Sequence, residues 1–589
     1  MSERIIPRES TSDTVTFKLL SEQQDISNDY QVMSFVITRE VNRIPTARLV
    51  LRDGSASEET FEASSGEDLI PGKEIEIALG HDSRDQRAFR GIIVKQSIKV
   101  GRDGNPVLML DCKDTAVKLT VGRHNRHFID TSDSDAITQI LGDNGLSGTV
   151  ESSGFQHPSI VQHYATDWDF MVSRAEINGY ITLADSGELK VKPPTSSGAS
   201  QITFTFGANL LEFEAEMDAR LQYAAVKASA WSYANQALVE AEAAEPAVSD
   251  VGNLSGKKLA EVIGLPTWEL RHGGDLAPQE LQAWADAQLL KSRLSKIQGR
   301  VKTTGYADAT PDVLVELRGM GTRFNGQAYV SGIRHEMING AWFTHLQLGL
   351  PPSWFYKEDD IVEKTASGVL PGVNGLQIGV VEQIEDDPNG EHRIRVKVPT
   401  VDGEAQGIWA RVATLDAGDT RGSFFRPEVN DEVVLGFLND DPRHPVVLGM
   451  LHSSAKPAPL TATADNFQKG IFTRSGMTLL FDDKQPSITL ETPGGNKIVI
   501  SDEDKGIVLS DQNQNSITLN DSGISLKSPK DITLDATGKL TLKATQDVSI
   551  QGLNVKAAAN AQFKATGNAG AEVSTGAIAV LKGSLVQIN

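Results

Sequence analysis

Short runs of alternating apolar and polar residues dominate the first 120 positions. Val15-Thr16-Phe17-Lys18-Leu19, Ala47-Arg48-Leu49-Val50-Leu51 and Glu74-Ile75-Glu76-Ile77-Ala78-Leu79 carry the pattern. A period of two belongs to strands with one buried face. Asp53-Gly54, Pro71-Gly72 and Asp103-Gly104-Asn105-Pro106 supply the turns between them. The expectation for 1–120 is a small β-barrel. Over 121–199 helical spacing appears and predicts an α/β domain. Ser134 to Leu141 places Ile137, Ile140 and Leu141 on one face, with Gly142 and Gly145 available to end it. A second helix is predicted over Asp167 to Ile177, N-capped by Thr166, with Asp169 three residues on and Gly179 as its stop.

Alternation returns at Ile202-Thr203-Phe204-Thr205-Phe206 and again from Arg300 to Leu350. This predicts a second barrel over 200–356, interrupted by an Ala-rich helical insertion at 233–298. The helix Pro278 to Gln298 there starts with a proline suited to the first turn. Polar, Gly- and Pro-containing residues 357–375 read as a linker. Residues 376–455 then hold some five strands, among them Ile394-Arg395-Val396-Lys397-Val398 and Glu432-Val433-Val434-Leu435-Gly436-Phe437. That density fits a small Greek-key barrel of the OB type. A neck follows at 456–483.

From 484 to 589 the chain becomes a repeat. Ile488, Ile498, Ile507, Ile517, Ile524, Ile532, Leu540 and Val548 each lead a four-residue strand, stepping by 10, 9, 10, 7, 8, 8 and 8. One strand and one turn per step is too short for a coil closed by a single chain. Folded alone, it leaves unpaired edges and half-covered apolar faces. Three identical chains solve this, each supplying one face, with these eight residues meeting on the axis of a trimeric β-helical needle. An antiparallel meander competes with that reading. A disordered polar tail fits less well, because β-branched residues recur so regularly.

Composition narrows the function. The 589 residues carry a formal net charge of -22, which argues against a nucleic-acid footprint or adhesion to anionic lipid. Residues 484–589 hold 10 Lys against 10 Asp plus Glu, so the whole excess lies upstream. Neither a signal-peptide stretch nor a run of 18 apolar residues is present in the sequence. The single cysteine, Cys112, suits a reducing cytoplasm and sits in an apolar strand, where it reads as packing.

Several segments resemble one family. Trp409-Ala410-Arg411-Val412, Pro427-Glu428-Val429-Asn430-Asp431-Glu432-Val433 and Asp441-Pro442-Arg443-His444-Pro445-Val446-Val447-Leu448-Gly449 resemble the OB signature of VgrG spikes and phage tail hub-and-needle proteins. Tyr164-Ala165-Thr166-Asp167-Trp168-Asp169-Phe170 and Val330-Ser331-Gly332-Ile333-Arg334-His335-Glu336 are similar to hub segments of that family. The resemblance implies a mainly β protein: a hub of two barrels with an α/β insertion, an OB domain and an intertwined trimeric needle. It implies a homotrimeric structural spike of a contractile injection system, type VI secretion-like or phage tail-like, closest in layout to extracellular systems. Such a spike caps a hexameric inner tube, touches baseplate proteins and carries a PAAR-type tip protein. It is made in the bacterial cytoplasm, assembled into a particle that is released, and crosses membranes only by mechanical puncture. The closing apolar set, Leu585, Val586, Ile588 and Asn589, is the expected tip-docking platform.

Chemistry adds nothing to rival this. His335-Glu336 begins a zincin-like string, but Asn339 stands where the second His belongs. Asp502-Glu503-Asp504-Lys505-Gly506 echoes a calcium loop, with Lys505 where a ligand is needed. No catalytic residue, metal ligand or cofactor is assigned and the chain is expected not to be an enzyme. A cell-wall hydrolase of the tail-lysozyme type and a receptor-binding tail fibre are the alternatives.

Overall fold

The computed structural model describes residues 14–102, 105–401 and 406–588. The expected turn at Asp103-Gly104 therefore lies outside the described residues. The chain divides into two compact units, Met1–Gly449 and Met450–Asn589.

In the first unit, alternation at the start and at 200–350 produces one 13-stranded sheet rather than two sheets. It carries two separate cores. Phe35, Ile37, Leu49, Leu51, Ile75, Ile77 and Leu110 fill the first. Phe204, Val301, Val315, Leu317, Val330 and Leu346 fill the second. The 13-residue strand Gly326–Ile338 belongs to both: Met337 packs in the first core, Val330 and Ile333 in the second. It pairs with Val32–Glu40 on one side and Ala341–Leu348 on the other. Each half thus supplies a pairing partner for the other's edge, which lowers the need for either to close on itself.

Among the described residues five α-helices interrupt the strands: α1 (Glu62–Ser65), α2 (Asp133–Asp143), α3 (Asp167–Ile177), α4 (Gly256–Ile263) and α5 (Pro278–Leu294). Ser132 caps α2 by accepting from the Asp135 amide, and Thr166 caps α3 by accepting from the Asp169 amide. Helix α3 stops where predicted, because Gly179 takes a left-handed φ of 72°. Residues Ile137, Ile140, Met171 and Val172 from these two helices form a third core. Helix α5 ends at Leu294, short of Gln298, because the strand Ile297–Thr304 begins there. The segment read as a helical insertion also holds strands. Val226–Ser232 pairs with Ala237–Glu242 and Trp268–His272, and Leu281, Ala285 and Leu289 of α5 pack against this sheet.

The stretch read as a linker is fastened at both ends. Glu176 of α3 accepts from Lys291 Nζ at 2.6 Å and from the Phe355 amide at 2.6 Å. Trp354 Nε1 donates to Gln288 at 2.7 Å, and Phe355 and Ile361 join the third core. Arg43 pairs with Glu358 at 2.7 Å, and Arg123 donates to the Asp360 and Ile361 carbonyls. Further along, the Val373 amide donates to the Asp440 carbonyl at 2.8 Å, and Asn439 to Ser367. Short polar turns that looked like slack in the sequence are docked by side chains far away in it.

Strands Gln377–Gln383, Ile394–Lys397, Ile408–Val412, Pro445–Met450 and Glu432–Phe437 close into a barrel, the only closed one among the described residues. Val381, Ile394, Val396, Ala410, Val433, Leu435 and Val447 fill it. The second unit begins as a seven-stranded antiparallel meander from Gln468–Phe472 to Gly523–Lys527. Beyond Lys527 the described residues contain no strand. No helix among the described residues is long and apolar enough to cross a membrane.

The Lys291–Glu176 pair is buried on both sides. Lys291→Ala leaves an uncompensated buried carboxylate and is expected to cost about 3–5 kcal/mol. Urea unfolding should show the loss, and the double replacement Lys291→Met/Glu176→Leu should recover part of it.

Candidate functional site

The repeat residues come together on one surface. In antiparallel pairing, directly opposed residues project to the same side of the sheet. Ile488 faces Ile500, Ile498 faces Leu509, Ile507 faces Leu519, Ile517 faces Leu526 and Leu519 faces Ile524. The lead residues Ile488, Ile498, Ile507, Ile517 and Ile524 therefore share one face with Leu490, Ile500, Leu509, Leu519 and Leu526. The opposite face carries Thr489, Val499, Val508, Thr518 and Ser525. The second apolar residue of each strand was not singled out in the sequence as part of this surface. Its signal is the ordinary spacing of two.

This sheet is a single layer, and its apolar side is uncovered. Ile488 and Ile498 are about two-fifths exposed, and Ile524 is 72% exposed. Leu490 to Ile532 line a groove of about 540 Å³ along this face. So large an exposed apolar area marks an interaction surface. Ile532, Leu540 and Val548 lie past the last strand, exposed by more than half. At the far end Leu585, Val586 and Ile588 are exposed by 77%, 49% and 84%. Asn589 lies outside the described residues.

Titratable groups gather elsewhere, inside the hub. Asp133 receives Arg174 Nε at 2.5 Å and Asn178 Nδ2 at 2.9 Å, with His157 Nε2 at 3.2 Å. Arg174 also donates to Glu280 of α5 at 3.1 Å. Burial pushes the Asp133 carboxyl up, but the hydrogen bond from His157 and the charge of Arg174 outweigh it and hold the group down at about 2. The cluster bolts α5 to α2 and α3. Among the described residues, no group of three or more His, Cys, Asp or Glu has metal-site geometry. His335 sits on a strand rather than a helix, against Thr344 at 3.0 Å, and burial pushes its imidazole down to about 3. Cys112 is part of the first core, and burial pushes its thiol up to about 12. Lys505 lies in the tight turn between Lys497–Ser501 and Gly506–Ser510, at a φ of 48°.

A two-core hub, an OB barrel and a strand repeat with one uncovered apolar face, in that order, define the layout of a hub-and-spike protein. Comparison with known proteins agrees. Residues 11–339, more than half of the chain, match the family model described as the Alg8 N-terminal domain. Residues 377–452 match the type VI secretion system/phage-baseplate injector OB domain, and 487–589 the phage baseplate V C-terminal trimerisation domain. The chain belongs to the family defined by that N-terminal domain and, with the two modules that follow it, is a VgrG-like spike protein.

Among curated relatives, the type VI secretion system spike protein VgrG1a of Pseudomonas aeruginosa is 24% identical over 282 residues, 43% of this chain and 40% of the relative. VgrG1b of the same organism is 31% identical over 18% of this chain and 15% of its own length. VgrG3 of Vibrio cholerae is 35% identical over 15% and 9%. The chain thus spans well under two thirds of these relatives. Among solved structures, a tail protein from Neisseria meningitidis aligns over 58% of this chain and 98% of its own, at a TM-score of 0.44 and 14% identity. The Francisella PdpA–VgrG complex aligns over 88% of each chain, at a TM-score of 0.40 and 8% identity.

The Asp133 cluster makes a pH prediction. A carboxyl held below its ordinary value of 3.8 gives stability that is fully present above that value and lost as pH falls towards about 2. The shift corresponds to about 2 kcal/mol. Thermal unfolding followed from pH 5 to pH 2 should show the decline, and Asp133→Asn should flatten part of it.

Proposed function

We propose that this chain is the central spike of a contractile, phage-tail-like injection machine, acting as a homotrimer. The hub caps a hexameric inner tube and touches baseplate proteins, the needle carries a PAAR-type tip protein, and the assembly punctures membranes under external force. One observation carries the reading: the ten-residue apolar face of the needle sheet, which its own chain leaves bare. Burying each Ile or Leu there contributes up to about 1.5–3 kcal/mol, multiplied over three chains. A long body held by such a core and free of exposed strand edges suits mechanical use.

The reading includes no catalysis. Asp133, His157, Arg174 and Glu280, the titratable groups that the hub brings together, bind each other and fasten helices. The domain boundaries follow the same reading: hub over 1–356, OB domain over 376–455, needle over 484–589. Synthesis in the bacterial cytoplasm and release within a particle belong to it too.

Native mass measurement should give three times the 63.5 kDa chain. Ile524→Asp places three carboxylates in a dry axis and should abolish the trimer. Deleting 581–589 should leave the trimer and remove tip-protein binding. Wild-type assembly and heat resistance in Ile524→Asp would show that this residue is not axial.

A further inference from the structure

Asn42, Glu176 and Lys291 come from three distant stretches of the sequence and meet at one carboxylate oxygen. Glu176 Oε1 accepts from Lys291 Nζ at 2.6 Å and from Asn42 Nδ2 at 3.5 Å. Asn42 follows the strand Val32–Glu40, Glu176 lies on α3 and Lys291 on α5. All three are less than one-tenth exposed. Ile181, Leu350 and Trp354 line the same small cavity, and the Trp354 ring lies 5.5 Å from Lys291 Nζ.

The Asn42 carboxamide is held differently at its two ends. Its Oδ1 accepts from the Thr182 amide at 2.8 Å, which fixes the carbonyl and draws electron density away from Cγ. Its Nδ2 makes the longer bond, to Glu176. A left-handed φ of 60° explains an asparagine at this position, but not a side chain turned inward beside a lysine. A Lys291–Glu176 ion pair needs no carboxamide next to it. Together the groups form a reactive set. A lysine amine is a nucleophile once it loses its proton. A carboxylate that reaches both nitrogens can carry that proton. An N–H already on the carbonyl oxygen stabilises the charge that develops there during attack.

We infer that Asn42 and Lys291 are a site of covalent self-modification, in which an isopeptide bond forms between their side chains with Glu176 as the proton carrier. Glu176 first takes one proton from the Lys291 ammonium. The free amine attacks Asn42 Cγ, and the Nζ–Cγ bond forms while negative charge collects on Oδ1 against the Thr182 amide. A second proton passes from Nζ through the carboxyl group to Nδ2, and the Cγ–Nδ2 bond breaks. Ammonia leaves and takes up the first proton as ammonium, so Glu176 ends as a carboxylate. No oxidant, cofactor or metal takes part. Attack requires Nζ within about 3–3.5 Å of Cγ. The flexible lysine chain makes that approach, and the adjoining cavity of about 20 Å³ holds one molecule the size of water or ammonia. The bond closes a loop from residue 42 to residue 291 and constrains the unfolded chain as a long-loop disulfide does, but reduction cannot undo it. The inference stands apart from the spike reading and concerns the hub alone.

Intact mass and peptide mapping of the purified full chain test this. The wild-type chain should be lighter than its sequence by one ammonia, and digestion should release a branched peptide joining Asn42 to Lys291. Lys291→Arg, Asn42→Ala and Glu176→Gln should each keep the full mass of their sequences and give no branched peptide. Succinimide formation at an Asn-Gly pair such as Asn339-Gly340 loses the same mass, so the branched peptide decides. Recovery of Asn42 and Lys291 from folded wild-type chain in separate, unmodified peptides overturns the inference, whatever the variants do. A branched peptide that persists in Glu176→Gln overturns the role given to Glu176. One that joins Lys291 to Glu176, with loss of water, overturns the choice of Asn42.

Discussion

A sheet with two faces and only one chain cannot bury both, and much of this molecule follows from how that constraint is met. In the hub the answer is internal. One sheet encloses two cores, a long strand is shared between them, and the edge of each half is paired by the other. In the needle there is no helix and no second layer among the described residues, so ten isoleucines and leucines face outward. Hydrophobic burial is non-directional. The backbone ladder gives it direction, by forcing all ten onto the same side.

The hub solves a different problem with buried charge. Glu176, Lys291 and the Phe355 amide form a closed set, as do Asp133, Arg174, Asn178 and Glu280. Each joins segments more than 100 residues apart in sequence. Such pairs add little net stability compared with an apolar replacement, but breaking one is costly, so they fix which segments meet. The OB barrel is held to the hub through a segment anchored by Glu176 and Arg123 at one end and by Asp440 at the other.

Local rules made much of this legible. Thr166 and Gly179 bracket a helix whose bounds the caps alone define, and the spacing of Ile488 to Ile524 marks the face of the needle sheet. What could not be read depended on distant partners. Residues 357–375 look like a flexible linker because their anchors, Arg43, Arg123 and Asp440, are far away in sequence. Two hub barrels were expected from two blocks of alternation, and periodicity carries no information on whether an edge closes on itself or on its neighbour. The end of α5 at Leu294 is set by the strand that begins three residues later. Leu585, Val586 and Ile588 were legible only as an apolar cluster, and in one chain they stay about half or more exposed.

The uniform eight-residue step also bears on how such a chain can change over generations. Gaining or losing one whole step leaves every later apolar residue on the same period. A change of any other size shifts every later Ile, Leu and Val off that period. Hairpins upstream of Lys527 have no such arithmetic and can absorb a residue in any turn. Variation in length should therefore come in multiples of eight after Lys527 and in any number before it.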